Sequence, residues 1–121
     1  MTTPLTTSQQ GQIAEDAACD YLLRQGLKLR ERNFRSPAGE IDLIMQDGDI
    51  IVFVEVRYRS NSQVTSAVET INSSKRRRII KSGGHYLQKH RLSDAVFCRF
   101  DVVILGRETS AMEWIRNAFE A

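Results

Sequence analysis

In the largely apolar stretch Gly39–Arg59, Glu40, Asp42, Glu55 and Arg57 stand among Ile, Leu, Val, Met and Phe. Burying unpaired charge costs several kcal/mol, so such residues need partners or a purpose. Carboxylates that converge can share a divalent cation, and Asp and Glu oxygens are the hard ligands that Mg2+ prefers. Three acids beside one Arg repel one another unless a cation joins them.

Their grouping depends on a hairpin. Asp47-Gly48 lies between two apolar runs and is the signature of a two-residue type I′ turn. That turn predicts that Gln46 faces Asp49, Ile44 faces Ile51, Asp42 faces Phe53 and Glu40 faces Glu55. Opposed residues share a face of the sheet. One face then carries Ile41, Leu43, Met45, Ile50, Val52, Val54, Val56 and Tyr58. The other carries Ile44, Ile51 and Phe53 near the turn, with Glu40, Asp42, Glu55 and Arg57 gathered at the far end. Two readings fit this pattern. The charged residues are the solvated side of an ordinary hairpin, or they are a site at the edge of a covered groove. The apolar Ile44, Ile51 and Phe53 call for a cover, and the amphipathic first helix is the expected lid.

The remaining elements read as follows. Thr7 and Gln10 have capping-box spacing. Ile13, Ala14, Ala17, Ala18, Tyr21 and Leu22 then recur at helical intervals up to Gly26. Leu27–Phe34 reads as a strand and Ser36–Gly39 as a turn. Val64–His90 has helical periodicity with a break at Asn72–Ser74, where Asn or Ser can cap a new helix. Gly83-Gly84 marks close packing or a second break. Ala95–Leu105 reads as a strong strand, and Met112–Ile115 as a further strand before a short terminal helix. The order αβββαβ predicts an α/β domain: an antiparallel meander, then a strand that returns through a helical crossover into a mixed sheet flanked by helices.

The 121 residues fit one domain, with residues 1–7 expected to be flexible. Charged residues make up 26% and hydrophobic ones 41%, as in ordinary soluble domains. No apolar run approaches the ~20 residues of a transmembrane helix, and the first residues lack the pattern of a signal peptide. Cys19 and Cys98 are far apart and read as reduced core thiols, so the expectation is a cytoplasmic protein with no membrane partner. The net charge of +2 does not by itself argue for nucleic acid. The distribution is more telling, because Lys75, Arg76, Arg77 and Arg78 are consecutive. They read either as a solvated helix face or as phosphate contacts. Ile79 and Ile80 follow at once, which docks the segment and extends the cations outward.

Asp42, followed thirteen residues on by Glu55-Val56-Arg57, resembles the D…(D/E)-x-K signature of the PD-(D/E)XK nuclease superfamily. The segments GEIDLI, VFVEVRYR, SKRRRI and CRFDVV together, in that order, are more closely similar to the YraN family, proteins proposed to be endonucleases and similar to archaeal Holliday-junction resolvases. The resemblance runs from Gly11 to Phe119. It implies a restriction-endonuclease-like fold, DNA as partner (branched DNA included), Mg2+ or Mn2+ as cofactor, and a homodimer, although no hydrophobic interface is legible. It implies Asp42 and Glu55 as metal ligands and Glu15, from the first helix, as a third. Glu15 reads equally as a solvated helix-edge residue. Arg57 departs from the signature, which has Lys there. Arg is effectively always protonated, so Arg57 can orient and stabilise but cannot serve as a base. Two rivals stand beside the nuclease: a binding module of the same fold without catalysis, and a scaffold with solvated acids. Glu40 has no clear role, and Asp101 reads as a buried partner of Arg99 or as a site member. His85 and His90 read as surface or packing residues, Tyr86 and Trp114 as core.

Overall fold

The computed structural model describes residues 4–58, 71–92, 96–106 and 112–120. In chain order the elements are α1 (Thr7–Arg24), β1 (Lys28–Ser36), β2 (Gly39–Asp47), β3 (Ile50–Tyr58), α2 (Ser73–Lys89), β4 (Phe97–Leu105) and β5 (Met112–Phe119). Among the described residues the five strands form one sheet in the order β1-β2-β3-β4-β5. β3 and β4 are parallel and the other pairs antiparallel. This is the expected α/β architecture with a mixed sheet.

Several local expectations are corrected. The capping box starts one residue earlier: Thr6 Oγ1 accepts from Gln9 N–H, and the Gln9 side chain accepts from Thr6 N–H. Asn72 caps α2 through Lys75 N–H, as its position after the break implied; residues 64–70 of the expected helical stretch lie outside the described residues. The segment from Met112 continues as a strand to Phe119, in place of a strand and a terminal helix. It does so because β5 pairs with β4 along its length, with Ile115 opposite Val102 and Phe119 opposite Phe100. Cys19 is buried, but Cys98 is exposed at the start of β4.

The hairpin turns at Gly48-Asp49, not Asp47-Gly48. Asp47 pairs with Ile50, Gln46 with Ile51, Ile44 with Phe53 and Leu43 with Val54. Gly48 has φ +60° while Asp49 keeps an ordinary φ. Glycine alone at the first central position is the type II′ pattern rather than I′. Every expected partner therefore slides by two residues, which preserves the faces of the sheet.

Each face has its own helix. Ala14, Ala18, Cys19 and Leu22 of α1 pack on Leu43, Met45, Val52, Val54, Val103 and Leu105. Ile79 and Tyr86 of α2 pack on Ile44, Ile51, Phe53, Phe100, Val102 and Ile104. So α2, not α1, covers the face that carries Glu55. Parallel β3 and β4 require a crossover between them, and α2 is part of it. Ile41 leaves its expected face and joins Phe34, its partner on β1, on the α2 side.

Gly83 sits where α2 meets the sheet. A Cβ there would lie 3.1 Å from the ring of Phe53, whereas one on Gly84 would meet nothing within 4 Å. Phe53 is hemmed in by the rings of Phe100 and Tyr86 and cannot retreat. Gly83→Ala is therefore expected to destabilise by about 1–2 kcal/mol, overpacking outweighing the helix-propensity gain. Gly84→Ala should stabilise by up to about 1 kcal/mol. Urea unfolding of the two variants checks this; equal shifts would refute the packing argument.

Candidate functional site

The β2–β3 pairing ends at Leu43 and Val54, and Asp42 and Glu55 are the next residue of each strand. There the carboxylate of Asp42 takes over the work of a backbone acceptor: its Oδ2 receives the N–H of Val56 at 2.8 Å. The two acids, expected to be diagonal, feel each other's charge just past the end of the pairing. They line one cleft of about 340 Å3 together with Ala38, Gly39, Glu40, Lys75, Arg78 and Ile79. The cleft is made by the start of β2, the middle of β3 and the first two turns of α2.

Glu55 is buried, with 6% of its side chain exposed. The ammonium of Lys75 reaches it from α2, Nζ to Oε1 at 2.8 Å. Arg57 Nε is 3.8 Å from the same oxygen and has no hydrogen-bond partner among the described residues. Burial, followed by the charge of Glu55, pushes the Asp42 carboxyl up to about 7. Val56 N–H and Lys75 pull the other way but do not win. A buried pair of like charges favours a bound cation or a proton.

The raised pKa has a consequence for stability. The folded state holds a proton on Asp42 that the unfolded chain releases near 3.8. The associated stability is fully present below about pH 4 and is lost as pH rises through about 7. Asn at this position keeps an acceptor for Val56 N–H and never ionises. Asp42→Asn is therefore expected to gain stability relative to the native protein between pH 5 and pH 8, on the order of 2 kcal/mol. Melting temperatures at the two pH values read this directly; a constant difference would contradict it.

The other expected site residues are dispersed. Glu15 is half-buried on α1 and faces β1, where Arg32 Nη2 lies 3.7 Å from its Oε1, which has no hydrogen-bond partner among the described residues. Its pKa is raised, mainly by burial. Glu15 and Asp42 feel each other's charge, but among the described residues no three acidic, His or Cys side chains gather closely enough to hold a metal ion together. Glu40 is exposed at the rim, 3.6 Å from Arg35. The four consecutive cations do not act as one outward patch. Lys75 turns in to Glu55; Arg76 donates to the carbonyl of Ile71 at 2.8 Å and lies over Phe119; Arg77 is exposed; Arg78 is exposed and lines the cleft.

The inward turn of Lys75 is the feature that the charge run concealed. A helical signal for it exists: Lys75, Ile79, Ser82 and Tyr86 fall at intervals of four, three and four, and the last three are buried. Asp101 is a structural acid. It is wholly buried on the α1 side, where it accepts from Arg99 Nε, Trp114 Nε1 at 2.9 Å and Asn117 N–H at 2.9 Å. Tyr86 is core and donates nothing to the cleft; its hydroxyl accepts from Arg30 Nε at 2.8 Å. Trp114 is half-buried against Tyr21 and under Arg116. His85 is exposed, and His90 rests on Tyr86.

An acid pair of this type fits Mg2+ or Mn2+. Mg2+ is commonly held by one or two carboxylates and completes its shell with water and substrate oxygens. Asp42 and Glu55 supply that number and chemistry without a third protein ligand. Among the described residues no helix is long and apolar enough to cross a membrane.

Known proteins match the chain over nearly its whole length. A protein from Coxiella burnetii described as a UPF0102 protein is 50% identical over 114 residues, 94% of each chain. Another UPF0102 protein, from Alkalilimnicola ehrlichii, is 44% identical over 118 residues, 98% of this chain and 92% of that one. A third, from Legionella pneumophila, is 41% identical over 115 residues, 95% of this chain and 98% of its own. The model of the family described as "Uncharacterised protein family UPF0102" matches residues 14–105, which hold Glu15, Asp42, Glu55, Arg57 and Lys75. The chain belongs to the UPF0102 family, the family to which its YraN-like segments pointed.

Proposed function

We propose that this protein hydrolyses phosphodiester bonds in DNA with a divalent cation, Mg2+ or Mn2+, as cofactor. One observation carries the reading: Asp42 and Glu55 line one cleft with Lys75 and Arg78, and burial followed by the charge of Glu55 pushes the Asp42 carboxyl up to about 7. A cation held by the two carboxylates would supply an activated water and neutralise charge on the phosphoryl oxygens. The chain's own residues do the rest. Asp42 is oriented by Val56 N–H. Glu55 is fixed between Lys75 and the core. Arg57 sits beside Glu55 with its Nε buried and without a hydrogen-bond partner among the described residues, and the rest of its guanidinium would hold a non-bridging phosphate oxygen. Glu15, whose buried Oε1 has no hydrogen-bond partner among the described residues, is the candidate third ligand from α1.

Arg77 and Arg78 are the exposed pair of the basic run and the proposed contacts to the DNA backbone. Changing both to Gln is expected to weaken binding of every DNA sequence alike and to reduce the salt slope by roughly one per lost contact. Loss confined to one sequence, or no loss, would contradict it. The resolvase resemblance makes branched DNA the first substrate to try. The test is cleavage of linear duplex, single strand, flap and four-way junction with Mg2+ or Mn2+. A second reading, a binding module of the same fold without catalysis, is favoured by one specific contact: Lys75 already occupies Glu55. Under that reading DNA binds and none of the panel is cut.

A further inference from the structure

The nuclease signature asks for a lysine two residues after the strand acid, and Arg57 stands there. The geometry offers another cation. Lys75 is in the first turn of α2, on the same stripe as the buried Ile79, Ser82 and Tyr86. Its ammonium lies 2.8 Å from Glu55 Oε1, a full ångström nearer than Arg57 Nε at 3.8 Å. The distances are of different kinds: the first is a charge-assisted hydrogen bond and the second is not.

The surroundings hold this turn of α2 in place. Asn72 Oδ1 accepts from Lys75 N–H at 2.9 Å and starts the helix there. Two turns further on, Ser82 Oγ is 2.9 Å from Ser36 Oγ at the end of β1. A Cβ on Gly39 would already touch Arg78 Cβ and Ser82 Oγ at 3.7 Å, so the β1–β2 turn and the helix are in close contact. Gly83 then seats the helix on Phe53. The helix is thereby fixed against both strands that bear the acids. The compact ammonium also suits a narrow place between a carboxylate and an incoming phosphate, where a planar guanidinium needs more room.

We propose that Lys75 is the catalytic cation of this site, supplied by the helix in place of the strand lysine, and that Arg57 serves as an outer phosphate clamp. The proposal rests on the hydrolytic reading above. In the step itself a water oxygen forms a bond to phosphorus and one ester P–O bond breaks. The leaving oxygen takes up a proton from solvent, and the proton lost by the attacking water returns to solvent. Lys75 remains protonated throughout. It stays on Glu55 and stabilises the charge that develops on the phosphoryl oxygens. With no substrate bound, its charge also opposes a second cation at Glu55.

The test uses Lys75→Met and the swap Arg57→Lys/Lys75→Met, which returns a lysine to the strand. Calorimetric titration of Mn2+, without DNA, is expected to show Lys75→Met binding at least about 3-fold more tightly than the native protein, because a competing charge has left Glu55. Arg57→Met should change that affinity by less. In single-turnover cleavage Lys75→Met should be slower by at least about 100-fold and Arg57→Met by about 10-fold. The swap should recover at least about 10-fold of the Lys75→Met loss. An ion pair with a purely structural role predicts a lower melting temperature but no such recovery. If Lys75→Met folds poorly, Lys75→Arg keeps a cation on Glu55 from the helix and decides: cleavage slower than native by at least about 10-fold supports the proposal, and cleavage within about 3-fold overturns it. Cleavage by Lys75→Met within about 3-fold of native, or unchanged Mn2+ affinity, overturns the proposal. If the native protein cuts nothing while Lys75→Met binds Mn2+ more tightly, Lys75 keeps its place at the cation site and hydrolysis is what fails.

Discussion

Asp101→Ala is expected to cost about 3–5 kcal/mol of stability, the largest loss from any single polar residue of this fold. Asp101 is wholly buried and accepts from Arg99, Trp114 and Asn117. Its removal strands the indole N–H and the Asn117 N–H, at about 1–3 kcal/mol each when left unpaired. Arg99 keeps one partner, Asp47, at 3.0 Å. Against a typical total of about 5–15 kcal/mol, such a loss unfolds a large share of the molecules at body temperature. Asp101 pairs in register with Val54, and its neighbour Val102 with Glu55, so Asp101 and Glu55 sit on opposite faces of the sheet. Binding of Mn2+ by the folded fraction should therefore be unchanged. Urea unfolding and a Mn2+ titration of the same variant check both halves. A stable variant that loses Mn2+ would make Asp101 a member of the site.

Glu55→Gln is expected to have the converse profile. The substitution removes one of the two carboxylates while keeping the shape of the side chain and an acceptor for Lys75. Mn2+ affinity should fall at least about 10-fold and single-turnover cleavage at least about 1000-fold, roughly 4 kcal/mol of transition-state stabilisation. The fold should be retained, because the lost attraction to Lys75 is offset by relief of the repulsion from Asp42. Unchanged Mn2+ binding in this variant would exclude Glu55 as a ligand.

The parts of this molecule that were legible in the sequence are those governed by short-range periodicity. Alternation over Gly39–Tyr58 was enough to place Asp42 and Glu55 on one side of a hairpin, and helical spacing was enough to find α1. The pairing itself was read two residues out, because Asp47-Gly48 and Gly48-Asp49 are both competent two-residue turns. Parity protected the faces from that error. The covering helix was misassigned because amphipathicity says that a helix has an apolar side, not which surface it meets. The parallel pairing of β3 and β4, with its handed crossover, decides that, and it becomes visible only with the sheet order. Lys75 was hidden by its neighbours. In a run of four cations, charge alone cannot show that one turns inward; its position four residues before Ile79 can. Asp101 needed the second half of β5, which carries Asn117 and reads in the sequence as a short terminal helix after Met112–Ile115. Ile41 changed sides because β2 departs from β3 where Asp42 takes Val56 N–H, a side-chain substitution that no periodicity encodes.

The central claim is that the Asp42–Glu55 cleft binds a divalent cation and uses it to break DNA. The most direct measurement is cleavage of an end-labelled four-way junction, with linear duplex beside it, by native protein and by Asp42→Asn and Glu55→Gln purified in parallel. Mg2+ or Mn2+ is to be added, with Ca2+ as the control. The account predicts nicks at defined positions with Mg2+ or Mn2+, none with Ca2+, and none from either variant under the same conditions. Cleavage that persists in both variants would come from some other site or protein. No cleavage by the native protein, with the junction bound, would contradict catalysis and leave a DNA-binding module.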